Sequence, residues 1–217
     1  MLNLKLDSNP ARPMRVLCLG AHCDDIEIGC AASLLQLAGE YPHMQFHWCI
    51  FTSDAERANE SRSAARALLG AERVQVEILD YRASFLPAQW EAVKFSMEDL
   101  RKRVEPDLIF THRLEDRHQD HRIVAELTWN SFRSHRVLEY EIAKFEGDLG
   151  QPNLLIPVDA VHADRKITVL MEHFPSQHAR NWFDAETFRA LMRLRGLECH
   201  SPSRYAEGFT ARKLTLA

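Results

Sequence analysis

The stretch Met14-Arg15-Val16-Leu17-Cys18-Leu19-Gly20-Ala21-His22-Cys23-Asp24-Asp25-Ile26-Glu27-Ile28-Gly29 decides how this chain is read. Residues 14–19 form an apolar run of the length expected of a buried strand. The turn that follows carries a histidine and two adjacent aspartates. About ninety residues on, the pattern returns: an apolar run at 107–111 leads into Asp116-Arg117-His118-Gln119-Asp120-His121. In an open parallel α/β sheet, ligands bind beyond the carboxyl ends of the strands, where the connections diverge to opposite faces. Two acid-and-histidine clusters, each behind a strand, can therefore share one site.

Outward from these segments, apolar runs alternate with stretches of helical period. The order βαβαβαβα implies an α/β, mostly parallel sheet with helices on both faces and a C-terminal extension. Helices are expected over 28–38, closed by Gly39; from a cap at Asp54 to Gly70; over 88–104, stopped ahead of Pro106; and over 121–132. Strands are expected over 44–52, 74–79 and 137–142, with a short apolar segment at 154–158 after a loop containing Gly and Pro. Two further helices, 160–173 and 184–195 with Gly196 closing the second, complete the pattern. The whole of 1–217 reads as one domain, with 1–13 as a flexible segment.

With 217 residues, 46% of them hydrophobic, the chain can bury a sizeable core. Its 27 basic and 31 acidic residues leave a net charge of -4 without any run of five like charges, so no nucleic-acid partner is expected. No segment reaches the length of a membrane span and the N-terminus lacks an apolar signal core, which leads us to expect a cytoplasmic protein without an integral membrane segment. A homo-oligomer is compatible with the chain. Cysteines at 18, 23, 30, 49 and 199 include no Cys-x-x-Cys pair, which argues against a disulfide framework and a zinc ribbon alike. The first turn reads Gly20-Ala21-His22-Cys23 and not Gly-x-Gly-x-x-Gly, which counts against a nucleotide-binding module.

Residues three apart on a first helical turn share a face, so His22 and Asp25 can point at one metal ion with Asp24 rotated aside. His118 and His121 have the same spacing, and one of them would complete a set of two histidines and a carboxylate. Such a set holds zinc, or another divalent transition metal, with one coordination position open, as in hydrolytic sites. Asp24 is then placed to take a proton from water at that position. Spacing leaves open which histidine is the ligand; the other can stabilise an oxyanion, with Asp120 or Asp116 holding its tautomer. Taken separately, each cluster is also compatible with an ordinary helix start whose aspartates cap the first amides.

These residues resemble the PIG-L/LmbE-type de-N-acetylases. The first cluster is similar to that family's Ala-His-Pro-Asp-Asp motif and the second to its Asp-x-His-x-Asp-His motif. Arg57-Ala-Asn-Glu60, Lys166 with His173-Phe-Pro-Ser176-Gln177, and Tyr205-Ala-Glu-Gly-Phe209 are similar to softer elements of it. The resemblance implies His22, Asp25 and His121 as zinc ligands, Asp24 as general base, and His118 as the charged partner of the intermediate, oriented by Asp120. It implies a Rossmann-like fold and hydrolysis of an N-acetyl group, usually from a small-molecule amino sugar or glycoconjugate, releasing acetate and an amine. The same metal chemistry on a non-sugar amide is the alternative. Arg57, Asp116, His173 and Gln177 are the substrate-binding candidates. Cys23 stands where the family has proline, which removes a backbone restraint and adds a thiol beside the site.

Overall fold

The computed structural model describes residues 5–6 and 12–215. Its thirteen regular elements, 3-10 turns aside, run β1 (Arg15–Gly20), α1 (Asp25–Glu40), β2 (Gln45–Thr52), α2 (Ala55–Leu69), β3 (Val74–Tyr81), α3 (Trp90–Val104), β4 (Leu108–His112), α4 (Gln119–Ser131), β5 (Arg136–Tyr140), β6 (Leu154–Val158), α5 (Ala160–His173), α6 (Ala185–Glu198) and β7 (Tyr205–Thr210). One seven-stranded sheet has the order β3-β2-β1-β4-β5-β7-β6. The first five strands are parallel, and β7 runs antiparallel between β5 and β6. The C-terminal extension therefore enlarges the same sheet, and β7 is the strand not expected from the periodicity.

β1 is apolar throughout because it is buried on both faces. Val16 and Cys18 face a core shared with Leu34 of α1, Leu68 of α2, Leu170 of α5 and Met192 of α6. Leu17 and Leu19 face the opposite core, with Met97 and Leu100 of α3 and Val124 and Leu127 of α4. From β1 the chain winds outward through β2 to β3, then crosses back to place β4 against the other side of β1, in register Val16↔Leu108 to Cys18↔Phe110. That reversal is the topological switch point, and the two sequence clusters follow the two strands that flank it.

Several boundaries differ from the sequence reading. Asp54 caps α2 by accepting the amide of Arg57, and Gly70 closes it with φ of 83°, as expected. Gly39 lies inside α1, which ends at Tyr41 with its amide on the carbonyl of Leu37. Gly196 likewise sits within α6; it is small because the strand-bound chain passes over it, and a Cβ there would lie 2.1 Å from the carbonyl oxygen of Arg204. The expected flexible segment 1–13 lies mostly outside the described residues; of those described, Leu6 packs on the core and Arg12 pairs with Asp107. A buried pair, Lys166 to Glu207 at 2.6 Å, joins α5 to β7, and Glu207 also accepts the Ser33 amide of α1 at 2.7 Å.

These contrasting glycines make a test. Gly196→Ala should lower stability by about 1–3 kcal/mol through overpacking against backbone. Gly39→Ala, where a Cβ meets nothing within 4 Å, should raise it by about 0.5–1 kcal/mol. Urea unfolding midpoints of the two variants measure both.

Candidate metal centre

β1 ends at Gly20, and the next residues turn the chain into α1. The amide of Ala21 donates to Nε2 of His112 at 2.9 Å, and the amide of His22 donates to Oδ2 of Asp25 at 2.7 Å. Because α1 begins only at Asp25, His22 and Asp25 converge across a tight turn and not along a helix face. Asp24 has φ of 106° and makes no capping bond. A non-glycine residue stays in that left-handed region only where its surroundings hold it. Its carboxylate is thereby freed from the helix amides, and Oδ1 accepts Nη2 of Arg57 at 3.0 Å. Arg57 also donates to the carbonyl of Cys23. Burial raises the Asp24 carboxyl to about 7, in spite of the Arg57 charge.

The second cluster opens α4. His118 is its N-cap, with Nδ1 accepting the amide of Asp120 at 3.2 Å. Its remaining nitrogen, Nε2, therefore carries the proton, and burial together with His22 lowers the pKa of the ring. With Nδ1 on that amide and its pKa lowered, the ring is biased towards the neutral form, whereas the resemblance implies a charged partner. Asp120 also departs from its expected place. Its carboxylate faces His22 Nε2 at 3.2 Å and accepts the amides of Ser84 at 2.6 Å and Leu86 at 3.1 Å. Only its main chain touches the His118 ring, because the capping geometry turns that ring back on the helix. Asp116, a substrate-binding candidate from sequence, accepts Nδ1 of His121 at 3.0 Å and the amide of His118 at 2.8 Å. Lys144 pairs with it at 3.2 Å.

The outer nitrogens of His22 and His121 thus each donate to a carboxylate, Asp120 and Asp116. A neutral imidazole carries one N–H, so with both rings neutral the inner nitrogens would present lone pairs. These two, His22 Nδ1 and His121 Nε2, face each other 3.2 Å apart. Asp25 is 3.5 Å from both, by Oδ2 to His22 and by Oδ1 to His121. A cation there satisfies all three, either a metal ion or the proton of a charged His22. A tetrahedral ion with bonds of about 2.0–2.1 Å sets its ligands about 3.3 Å apart, the spacing seen here. The same field acts on His22: burial disfavours its charge, but Asp120 and Asp25 overcome that and raise it to about 10. Burial keeps His121 neutral, lowering it to about 4.

Two other groupings overlap this trio, His22 with His118 and His121, and Asp25 with His112 and His121. We favour His22, Asp25 and His121 because His118 Nδ1 and His112 Nε2 both already accept main-chain amides. His112 is the residue the sequence reading missed. It stacks on His121 with ring centroids 3.9 Å apart, and its Nε2 lies 3.2 Å from Asp25 Oδ2. A histidine ending an otherwise apolar strand was the available signal. Lys144 and the loop around Ser84 carried none. Of the substrate-binding candidates, His173 Nδ1 meets Ser63, and Gln177 donates to Ser176, which is held by Glu60. They fasten the segment after α5 to α2. Cys23 turns its sulfur to Ser53 Oγ at 3.1 Å, away from the cluster, and burial pushes its thiol up to about 12.

The chain thus places a His/Asp cluster that could hold a metal ion at the switch point of a Rossmann-like sheet. The family described as GlcNAc-PI de-N-acetylase, PIG-L, matches residues 17–132, which include both clusters, and the chain belongs to that family. It is 30% identical over 154 residues to a protein described as the uncharacterized deacetylase YaiS of Escherichia coli (strain K12), covering 65% of this chain and 80% of that one. The fold is similar to that of N,N'-diacetylchitobiose deacetylase from Pyrococcus horikoshii, with a TM-score of 0.69 and 23% identity over 91% of this chain and 83% of that one. It is also similar to GalB, the 4-carboxy-2-hydroxymuconate hydratase of Pseudomonas putida KT2440, with a TM-score of 0.73 and 17% identity over 94% and 98%.

Carboxylates that orient ligand histidines are worth about 10–100-fold in metal affinity. Asp116→Ala and Asp120→Ala should each lose that much in a chelator-competition titration, whereas His173→Ala, which touches Ser63, should bind metal as the unmodified protein does.

Proposed function

We propose that this protein is a zinc-dependent N-deacetylase that removes the acetyl group from an N-acetylated amino sugar of the N-acetylglucosamine type or a conjugate of it. The observation that carries the reading is the set of three convergent acceptors, His22, Asp25 and His121, beside the Asp24 carboxylate that no helix amide claims. Family membership and the deacetylases among the similar proteins support the reaction class. When bound, the ion supplies Lewis acidity, polarising a carbonyl and bringing the pKa of water towards neutrality.

The chain's own residues divide the remaining work. Asp24, raised to about 7, is a base matched to neutral pH and takes the proton of the attacking water. Its ion pair with Arg57 fixes the direction of the carboxylate, so Arg57 acts through Asp24. The same group returns the proton to the departing amine, as microscopic economy of one base in one site allows. His118, donating from Nε2 while its Nδ1 stays on the Asp120 amide, stabilises the amide oxygen as negative charge develops. A cytoplasmic location accords with the absence, among the described residues, of a helix long and apolar enough to cross a membrane.

The direct test is metal analysis of the purified protein with an acetate-release screen over N-acetylated sugars and non-sugar amides. About one ion per chain and acetate from N-acetyl sugars are expected; turnover confined to other amides would refute the sugar assignment. Asp24→Asn should keep its metal while turnover falls by about two to four orders of magnitude. Loss of metal in that variant would show Asp24 to be a ligand. His118→Ala should keep metal and lose about 10²–10³ in turnover.

The pH profile follows from Asp24. The rate must rise with pH as its carboxyl ionises, and a nearby cation favours the ionised form. The acidic limb of the loaded enzyme should therefore have its midpoint below about 7. A limb that is unchanged in the residual activity of Asp24→Asn would assign it to another group.

A further inference from the structure

We propose that Lys144, in the loop between β5 and β6, is a positioning residue for the metal centre: it fixes the Asp116 carboxylate on His121 and so sets how tightly the ion is held. The inference rests on His121 being a ligand in the proposed enzyme and deepens that reading. Lys144 lies outside residues 17–132, the stretch that the family matches. Asp116 divides its two oxygens. Oδ2 accepts Nδ1 of His121 at 3.0 Å, while Oδ1 accepts the amide of His118 at 2.8 Å and has the ammonium of Lys144 at 3.2 Å. The amide belongs to a residue two along the chain and moves with the carboxylate. Lys144 comes from another strand end and ties that carboxylate to the rest of the fold.

Lys144 is itself held. Gly147, with φ of 60°, bends the loop back so that Asp148 receives the same ammonium on both oxygens, at 2.7 and 2.8 Å. Asp148 in turn accepts the amide of Arg117 at 2.7 Å, and its carbonyl accepts Nη1 of Arg113 at 2.9 Å. Gly150 passes so close to that guanidinium that a Cβ would lie 2.4 Å from Nη2. The loop therefore grips residues 113–117 at both ends. At its centre the side chains of Lys144, Asp116 and Asp148 are 8%, 6% and 6% exposed. An exposed pair would contribute little, because water and mobile stems compete with it. A buried ammonium cannot leave without stranding both carboxylates. An ionised carboxylate only accepts, so Asp116 held in place keeps the hydrogen of the neutral His121 ring on Nδ1 and turns the lone pair of Nε2 towards the ion.

The test is competition for zinc with a chromophoric chelator, on the unmodified full chain and on K144M, K144R, D116A and K144M/D116A, with the urea midpoint of each metal-free protein measured alongside. K144M keeps much of the stem and removes the charge. Its zinc affinity should fall about three- to tenfold, short of the 10–100-fold of D116A, and K144R should recover part of the loss because it restores the charge with a different reach. Since Lys144 acts through Asp116, adding K144M to D116A should change the affinity by less than about twofold. If K144M does not fold, K144M/D148N removes the ammonium together with one of the carboxylates it satisfies, and the same loss is expected there. Unchanged zinc affinity, whatever the urea midpoint does, or losses that add in full in K144M/D116A would overturn the inference. An unmodified protein that binds no zinc would overturn the metal centre and the role of Lys144 together. The expected K144M loss without acetate release from any N-acetyl sugar would uphold Lys144 and overturn the deacetylase reading.

Discussion

The parallel pairing of β1 with β4 is the constraint on which the rest of the structure depends. Neighbouring parallel strands in register end side by side, so the turn after Gly20 and the loop after His112 must share one crevice. Because the chain leaves β1 towards β2 and leaves β4 towards β5, the connections diverge and open a gap between the strand ends. The bond from the Ala21 amide to His112 Nε2 closes the floor of that gap and ties the two motifs together. His112 then stacks on His121 and lies beside Asp25.

Electrostatics explains why these groups tolerate each other. Asp24, Asp25, Asp116 and Asp120 are all buried around His22, His112 and His121, an arrangement whose desolvation cost must be offset by charge or hydrogen bonds. Four devices supply this: Arg57 on Asp24, Lys144 on Asp116, main-chain amides on Asp120 and Asp25, and a cation at the centre, a metal ion or the proton of His22. The cluster is therefore organised for a cation more than for stability. The left-handed backbone at Asp24 and Ser84 belongs to the same pattern, since strain persists where surrounding bonds over-determine it.

Fold similarity alone leaves the reaction undecided, because deacetylases and a hydratase share this architecture with the chain. Function lives in local groups placed on a fold. Here those groups are the Asp24 carboxylate turned from the helix amides, the capping His118 ring and the imidazoles set by Asp116 and Asp120. A similar sheet with different groups at the same strand ends would run different chemistry.

What the sequence by itself determined was the period and the punctuation: strands apolar throughout because both faces are buried, helices marked by Asp54 and Gly70, and two clusters of acid and histidine placed behind strands. Those signals are local, and they sufficed for the fold class and for the residues that crowd the site. Which donor meets which acceptor was decided by the tertiary structure. Asp120 turns to His22 and not to His118, Asp116 turns to His121, and His112 joins from a strand end, because each contact spans elements far apart in the chain or depends on the turn of a helix cap. Likewise, Gly39 and Gly196 look alike as helix stops, yet both lie within helices, one beside open space and the other beneath the backbone of Arg204. Residue type and spacing carry the period of a segment; only packing supplies the partner that gives each side chain its role.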